Sequence, residues 1–267
     1  MRAALVAEYR KLVSTRMWWL LLLVLAGYLV FIGIVMAASF VFAPEDPDSG
    51  QVTLHGVEAA RAIYSVTNGV GYVFPLVIGS LAITGEFRHH TITQTLLVEP
   101  RRGVLLGAKL LATVPVGLLY GVVAALAVVG ASAPLLAGWG DGAYLTDGSV
   151  LTLLALGVLV TALWAMIGVA FGSVVPNQVA AIVVILAFTQ FVEPIARLAL
   201  GSFDGTEGVA KFLPGAAADG VIGSSLFGEL GGGAELLSRP VALVVLLAYA
   251  AALALIGRFT TLRRDIA

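Results

Sequence analysis

The sequence predicts an all-α integral membrane protein: a single transmembrane domain over residues 1–267, with six spanning helices and both termini cytoplasmic. Three observations carry this prediction. The chain is 60% hydrophobic and 12% charged, with mean hydropathy +1.01, whereas soluble domains carry about 25% charged residues. Six apolar runs reach the roughly 20 residues that a helix needs to cross the hydrocarbon layer: 17–42, 59–83, 104–133, 150–172, 179–200 and 240–258. Lys and Arg also divide unevenly between the two sides. Six spans put the termini on one side with Arg2, Arg10, Lys11, Arg16, Arg88, Arg101, Arg102, Lys109, Arg258, Arg263 and Arg264, and leave Arg61, Arg197, Lys211 and Arg239 on the other. Eleven against four is a positive-inside bias. The acidic residues run the other way, with residues 44–48, Asp141, Asp147, Asp204, Glu207, Asp219, Glu229 and Glu235 outside.

Composition excludes several functions. A net charge of −1 argues against a nucleic-acid binder. The absence of cysteine removes disulfides, Cys-ligated zinc and thiol catalysis. No G-x-x-x-x-G-K-[ST] occurs, so no P-loop holds a nucleotide.

Residues 2–16, "RAALVAEYRKLVSTR", alternate small apolar side chains with Glu8, Arg10, Lys11 and Arg16. A basic polar face of this kind suits a helix lying in the membrane interface. Glu8 and Lys11 stand three apart on one face, and Trp18 and Trp19 follow at headgroup level. This helix reads either as a topology anchor or as a lever beside the cytoplasmic helix described below. The basic-then-apolar start resembles a signal peptide. However, the run 17–42 exceeds an h-region of about 7–15 residues, so a retained first span is expected.

The second span opens "AARAIYSVTNGVGY", too polar for lipid, so that face is expected inside the bundle. Pro75 should kink this span and Pro115 the third. Gly117 and Gly121 in the third span, and Gly168 and Gly172 in the fourth, repeat at four residues. Such pairs allow close backbone approach, or they simply reflect a composition with 31 glycines.

Between spans two and three lies a polar island, "TGEFRHHTITQTLLVEPRRGVLLGAKLL". Glu86 and His89 have metal-ligand spacing, but a carboxylate metal site needs that pair repeated on other helices, and it is not repeated. Phe87, Thr91 and the Leu96–Leu97 pair recur at spacings of about four, with Pro100 as a stop. This reads as a short amphipathic helix over residues 86–98, suited to protein contact. The bland alternative is a solvated loop whose charges only fix topology.

These residues resemble the cytoplasmic region of ABC type-2 transporter permeases, the membrane subunits of bacterial ABC exporters. Members of that family run from an acidic residue at the end of the second span to a Gly-Thr, a Leu-Leu pair, a Pro with a nearby basic residue, and a Leu-Leu-x-x-Lys entering the third span. Glu86, Thr91, Leu96, Leu97, Pro100, Arg101 or Arg102, Leu105, Leu106 and Lys109 match. His90 stands where the family has glycine, so the resemblance does not extend to the local backbone bend. The start "AEYRKLVSTRMWW" is similar to the interfacial helix of the same family.

The resemblance implies a bacterial plasma-membrane permease without catalysis of its own. It would pair with a second copy or a paralogue, a homodimer in the first case, in contact with membrane lipid. A separate ATPase subunit would hold ATP and magnesium, and this chain would hold no cofactor. Glu86, Phe87, Arg88, Thr91, Leu96 and Leu97 would meet the ATPase, with Phe87, Leu96 and Leu97 gripping and Glu86 and Arg88 as polar contacts. An ATP-independent carrier or channel is the alternative.

Span five ends "FTQFVEPIARLAL", with Glu193 four residues before Arg197 in the favoured order. The pair is expected either to hold itself together near the outer interface or, with Gln190, to line a gate or substrate path. The apolar segment around "KFLPGAAADGVIGSSLFGEL" is expected to form a re-entrant helix within 212–227, capping the bundle from outside. No span shows a charged stripe, so a lipid-like or amphipathic cargo fits better than a small ion.

Overall fold

The computed structural model describes residues 2–42, 54–201, 207–226, 228 and 235–262. Residues 44–48, Asp204, Phe227, Glu229, Arg263 and Arg264 lie outside the described residues. Helices alone make up the regular structure of the described residues, and six of their segments are long and apolar enough to cross a membrane.

Helix α1 (Arg2–Ser14) lies across one end of the bundle, here called basal, and α2 (Met17–Phe42) is the first span. Trp18 Nε1 donates to Val13 O at 2.8 Å and fixes the corner between them. The second span is two helices, α3 (Gly56–Gly69) and α4 (Val73–Arg88), followed by the short α5 (Ile92–Val98). The third and fourth spans are α6 (Arg102–Trp139) and α7 (Gly148–Val174). The fifth is α8 (Gln178–Ala187), a π-turn (Phe188–Val192) and α9 (Glu193–Gly201). Helices α10 (Glu207–Ala210) and α11 (Pro214–Ile222) precede the sixth span, α12 (Arg239–Phe259).

Helix α7 is the central post, packed by α3, α4, α6, α11 and α12. The polar second span is enclosed as its composition requires, with Ser65, Thr67, Asn68, Ser80 and Thr84 all buried. Three of their hydroxyls return to their own helix, Ser65 to Ala62 O, Ser80 to Val77 O and Thr84 to Ser80 O. The second span is broken, and the break lies N-terminal to Pro75. A proline removes one N–H and crowds the carbonyl four residues earlier, here that of Gly71, which accepts from Phe74 N at 3.3 Å instead. Pro115 does not interrupt α6, which runs 38 residues through it and through Pro134. At 1.5 Å per residue that is about 57 Å, longer than the run 104–133 implied.

The repeated glycines are packing seams. A Cβ on Gly117 would stand 2.6 Å from Ala162 Cα, and one on Gly121 2.7 Å from Val158 Cα, so α6 and α7 touch backbone to backbone. Gly168 and Gly172 face Leu76 and Ser80 on α4 instead. All nine residues of α11 are buried, against α3, α7 and α12. This helix starts on Pro214 and ends before Gly223 at φ +76, the ordinary placement of the two residues.

Candidate functional site

Among the described residues, two buried ion clusters sit at opposite ends of the bundle. The basal one gathers four charges from three elements: Glu8 and Lys11 on α1, Glu86 in the last turn of α4, and Lys109 near the start of α6. Lys109 Nζ lies 2.6 Å from Glu8 Oε2, 2.9 Å from Glu86 Oε1 and 3.1 Å from Ala82 O. Lys11 Nζ lies 2.8 Å from Glu8 Oε1, 2.8 Å from Glu86 Oε1 and 3.0 Å from Thr95 Oγ1 on α5. An ammonium has three N–H donors; Lys11 donates to Glu8, Glu86 and Thr95, while Lys109 donates to Glu8 and Ala82 O and meets Glu86 as an ion pair. The cluster carries two positive and two negative charges, so no net charge is buried.

Burial differs sharply across the cluster. The Lys109 side chain is 1% exposed and Lys11 46%. Burial opposes the charge on Lys11, but hydrogen bonds to Glu8 and Glu86, with their charges, outweigh it and hold the ammonium above its ordinary pKa. Lys109 has no such access to water and depends on its partners. Glu86 Oε2 is buried without a hydrogen-bond partner among the described residues. The spacing of Glu8 and Lys11 was readable as a pair. Their meeting with Glu86 and Lys109 was not, because Lys109 is 101 positions from Glu8.

The polar island divides. Residues 86–98 are not one helix: α4 ends at Arg88, and α5 starts at Ile92. His90 between them has φ +55. This is the left-handed backbone that glycine adopts freely and that histidine visits more readily than most residues. Histidine therefore makes the bend that a glycine would have made. Glu86 is buried in the clamp, while Phe87 packs, half-buried, by Ile83, Leu106, Val169 and Leu262. Arg88 is exposed at the end of α4, and Thr91 stands just before α5, its amide donating to Glu86 O of α4 at 2.9 Å. Leu96 is half-buried, Leu97 is 80% exposed, and Val98, which the spacing had not singled out, is 87% exposed.

At the distal end, Glu193 and Arg197 form the pair their spacing implied, at 3.1 Å. The structure adds Asp219 of α11, 2.7 Å from Arg197 Nη1. Ser225 Oγ donates to Asp219 Oδ2 at 2.8 Å, and the Gly215 amide donates to Glu193 Oε1. Tyr72, in the break of the second span, approaches Glu193 Oε2 at 3.0 Å and Thr189 O at 3.2 Å. Glu193 and Asp219 are each 1% exposed. Gln190 reaches Thr189 Oγ1 at 3.3 Å, one residue away, and lies beside the cluster rather than within it. The signal for Asp219 was its place as the single charge in "PGAAADGVI".

The two clusters do different mechanical work. The basal one fastens α1, α4, α5 and α6 together. The distal one fastens the fifth span to α11, which also packs on the sixth. No family model matches the chain, and no curated protein matches it.

Proposed function

We propose that the chain is the membrane-spanning permease subunit of an ATP-driven exporter of the ABC type-2 kind. It would work as a dimer of two copies or of a copy and a paralogue. Separate ATPase subunits would bind ATP and magnesium on the cytoplasmic face of a bacterial plasma membrane. The observation that supports this reading best is the basal clamp beside the exposed Leu97 and Val98.

A force applied to a seven-residue helix held only by its chain ends would dissipate in the flanking turns. Here Lys11 joins α5, through Thr95, to the same carboxylates that hold Lys109 on the third span. A push on α5 therefore loads spans two and three and α1 together, as a rigid-body transmission needs. Leu97 and Val98 offer the apolar grip, and Arg88 a polar contact. In this reading Glu86 and Phe87 act behind the contact surface. At the other end, Glu193, Arg197 and Asp219 belong to the outer gate, and α11 dips from outside as its cap.

The test is affinity purification of the chain from its native membranes. An ATP-hydrolysing subunit should co-purify and be lost with Leu97→Asp plus Val98→Asp. The alternative, an ATP-independent carrier or channel, draws on the broken second span, since carriers use discontinuous helices at their binding sites. It requires the purified chain alone to move cargo in proteoliposomes. Such transport, with no ATPase recovered, would replace the first reading.

A further inference from the structure

Asn68 lies at the end of α3, just before the break in the second span. It is 3% exposed, yet neither its Oδ1 nor its Nδ2 has a hydrogen-bond partner among the described residues. Thr67 Oγ1, beside it, is also buried and unpartnered. Buried amides are normally satisfied, so a side chain with both ends unmet calls for a reason. The two groups line a shallow, tight crevice between α3, α6 and α7. Gly121, Ala125, Leu154 and Gly157 line it as well. The crevice includes Gly121 and Val158 of the glycine crossing between α6 and α7. Helix α3 closes it from inside the bundle, while Leu126 and Leu159, on either helix beside it, are exposed where lipid would run.

We propose that this crevice is a lateral binding site for a neutral amphiphile, a lipid-like chain whose head both donates and accepts hydrogen bonds. A carboxamide or similar head would meet both ends of the Asn68 amide. Its hydrocarbon would lie between α6 and α7 against Ala125, Leu154 and Val158. A charged head does not fit, because no ionic side chain lines the crevice. The space as it stands admits no water-sized sphere, so occupancy requires α6 and α7 to part outward of their crossing. The inference concerns binding; that the bound molecule is cargo rests on the permease reading above.

The experiment uses the full chain in phosphatidylcholine nanodiscs, with oleamide as probe and methyl oleate as the same chain with an acceptor-only head. Oleamide should bind at least about fivefold more tightly than methyl oleate, the value of roughly one hydrogen bond left unmade. Asn68→Leu should abolish that preference while melting no lower than the wild type, since it removes two unmet polar atoms. Gly157→Ala, whose Cβ would stand 3.0 Å from Asn68 Nδ2, should weaken oleamide binding without removing the amide. The proposal is overturned if the wild type does not distinguish the two probes, if Asn68→Leu keeps the preference, or if Asn68→Leu melts lower than the wild type, which would give the amide an internal partner. Loss of the oleamide result with the ATPase still co-purifying would leave the permease reading untouched.

Discussion

Lys109 Nζ and Glu8 Oε2 lie 2.6 Å apart, joining the N-terminal helix to the third span through a lysine that is 1% exposed. Removing one partner of a buried pair typically costs about 3–5 kcal/mol, against about 0–1 kcal/mol for an exposed pair. Lys109→Met should therefore destabilise the chain by about 3 kcal/mol, and Lys11→Met by under about 1 kcal/mol. Thermal unfolding in detergent reads both, and equal effects would show that the clamp does not depend on burial.

The Lys11 contribution also has a pH signature. Its folded pKa is raised above 10.5, so its stabilisation is complete below that value and lost as pH rises through the folded value. The stability difference between wild type and Lys11→Met should stay flat from pH 6 to 9 and shrink only in stronger alkali. A difference that shrinks near neutrality would rule out the ammonium as its source.

His90→Gly should stabilise the bend before α5, by about 1 kcal/mol, because a left-handed backbone costs a non-glycine residue about that much. His90→Val should cost at least as much in the other direction, since a β-branched residue tolerates that backbone worst. A His90→Gly variant less stable than the wild type would mean that the imidazole itself holds the turn.

At the α6–α7 seam, Gly117→Val places atoms against the Ala162 backbone, which cannot give way. The expected cost is at least about 2 kcal/mol, at the upper part of the range for overpacking. Gly130→Ala meets nothing within 4 Å and should be neutral or slightly stabilising. Equal stability of both variants in thermal unfolding would contradict the close crossing.

Arg197→Met leaves the Glu193 and Asp219 carboxylates buried without the guanidinium between them and should cost about 3–5 kcal/mol. Glu193→Gln should cost far less. The amide oxygen still accepts from Gly215 N and Arg197, and the Tyr72 hydroxyl can accept from the new NH₂. If Glu193→Gln is the more damaging of the two, the cluster owes its stability to Glu193 rather than to charge balance.

Because the chain has no cysteine, single ones report sidedness cleanly. A cysteine at exposed Thr146, on the distal end, should react with an impermeant thiol reagent added to intact cells, and one at exposed Thr93 should not. The reverse pattern would invert the orientation read from the Lys and Arg distribution.

The sequence by itself determined the membrane class, the number of spans and the burial of the second one. Hydrophobic length and polar content are local properties, and a bilayer imposes the same minimum hydrophobic length on every span. The first span runs 17–42 in sequence and Met17–Phe42 in structure, its apolar run marking both ends. The Glu193–Arg197 pair was legible because one helical turn fixes it. Only the tertiary structure decided which distant charges meet, as with Lys109 and Glu8, or Arg197 and Asp219. It decided that Gly117 seats on Ala162 rather than being merely one glycine among many. It also decided that His90 breaks the island, so that Glu86 turns inward while Leu97 stays in the open. Each of these depends on how separate helices approach and rotate, and the energy that sets this comes from side chains scores of residues apart. A single chain's local pattern holds no record of it.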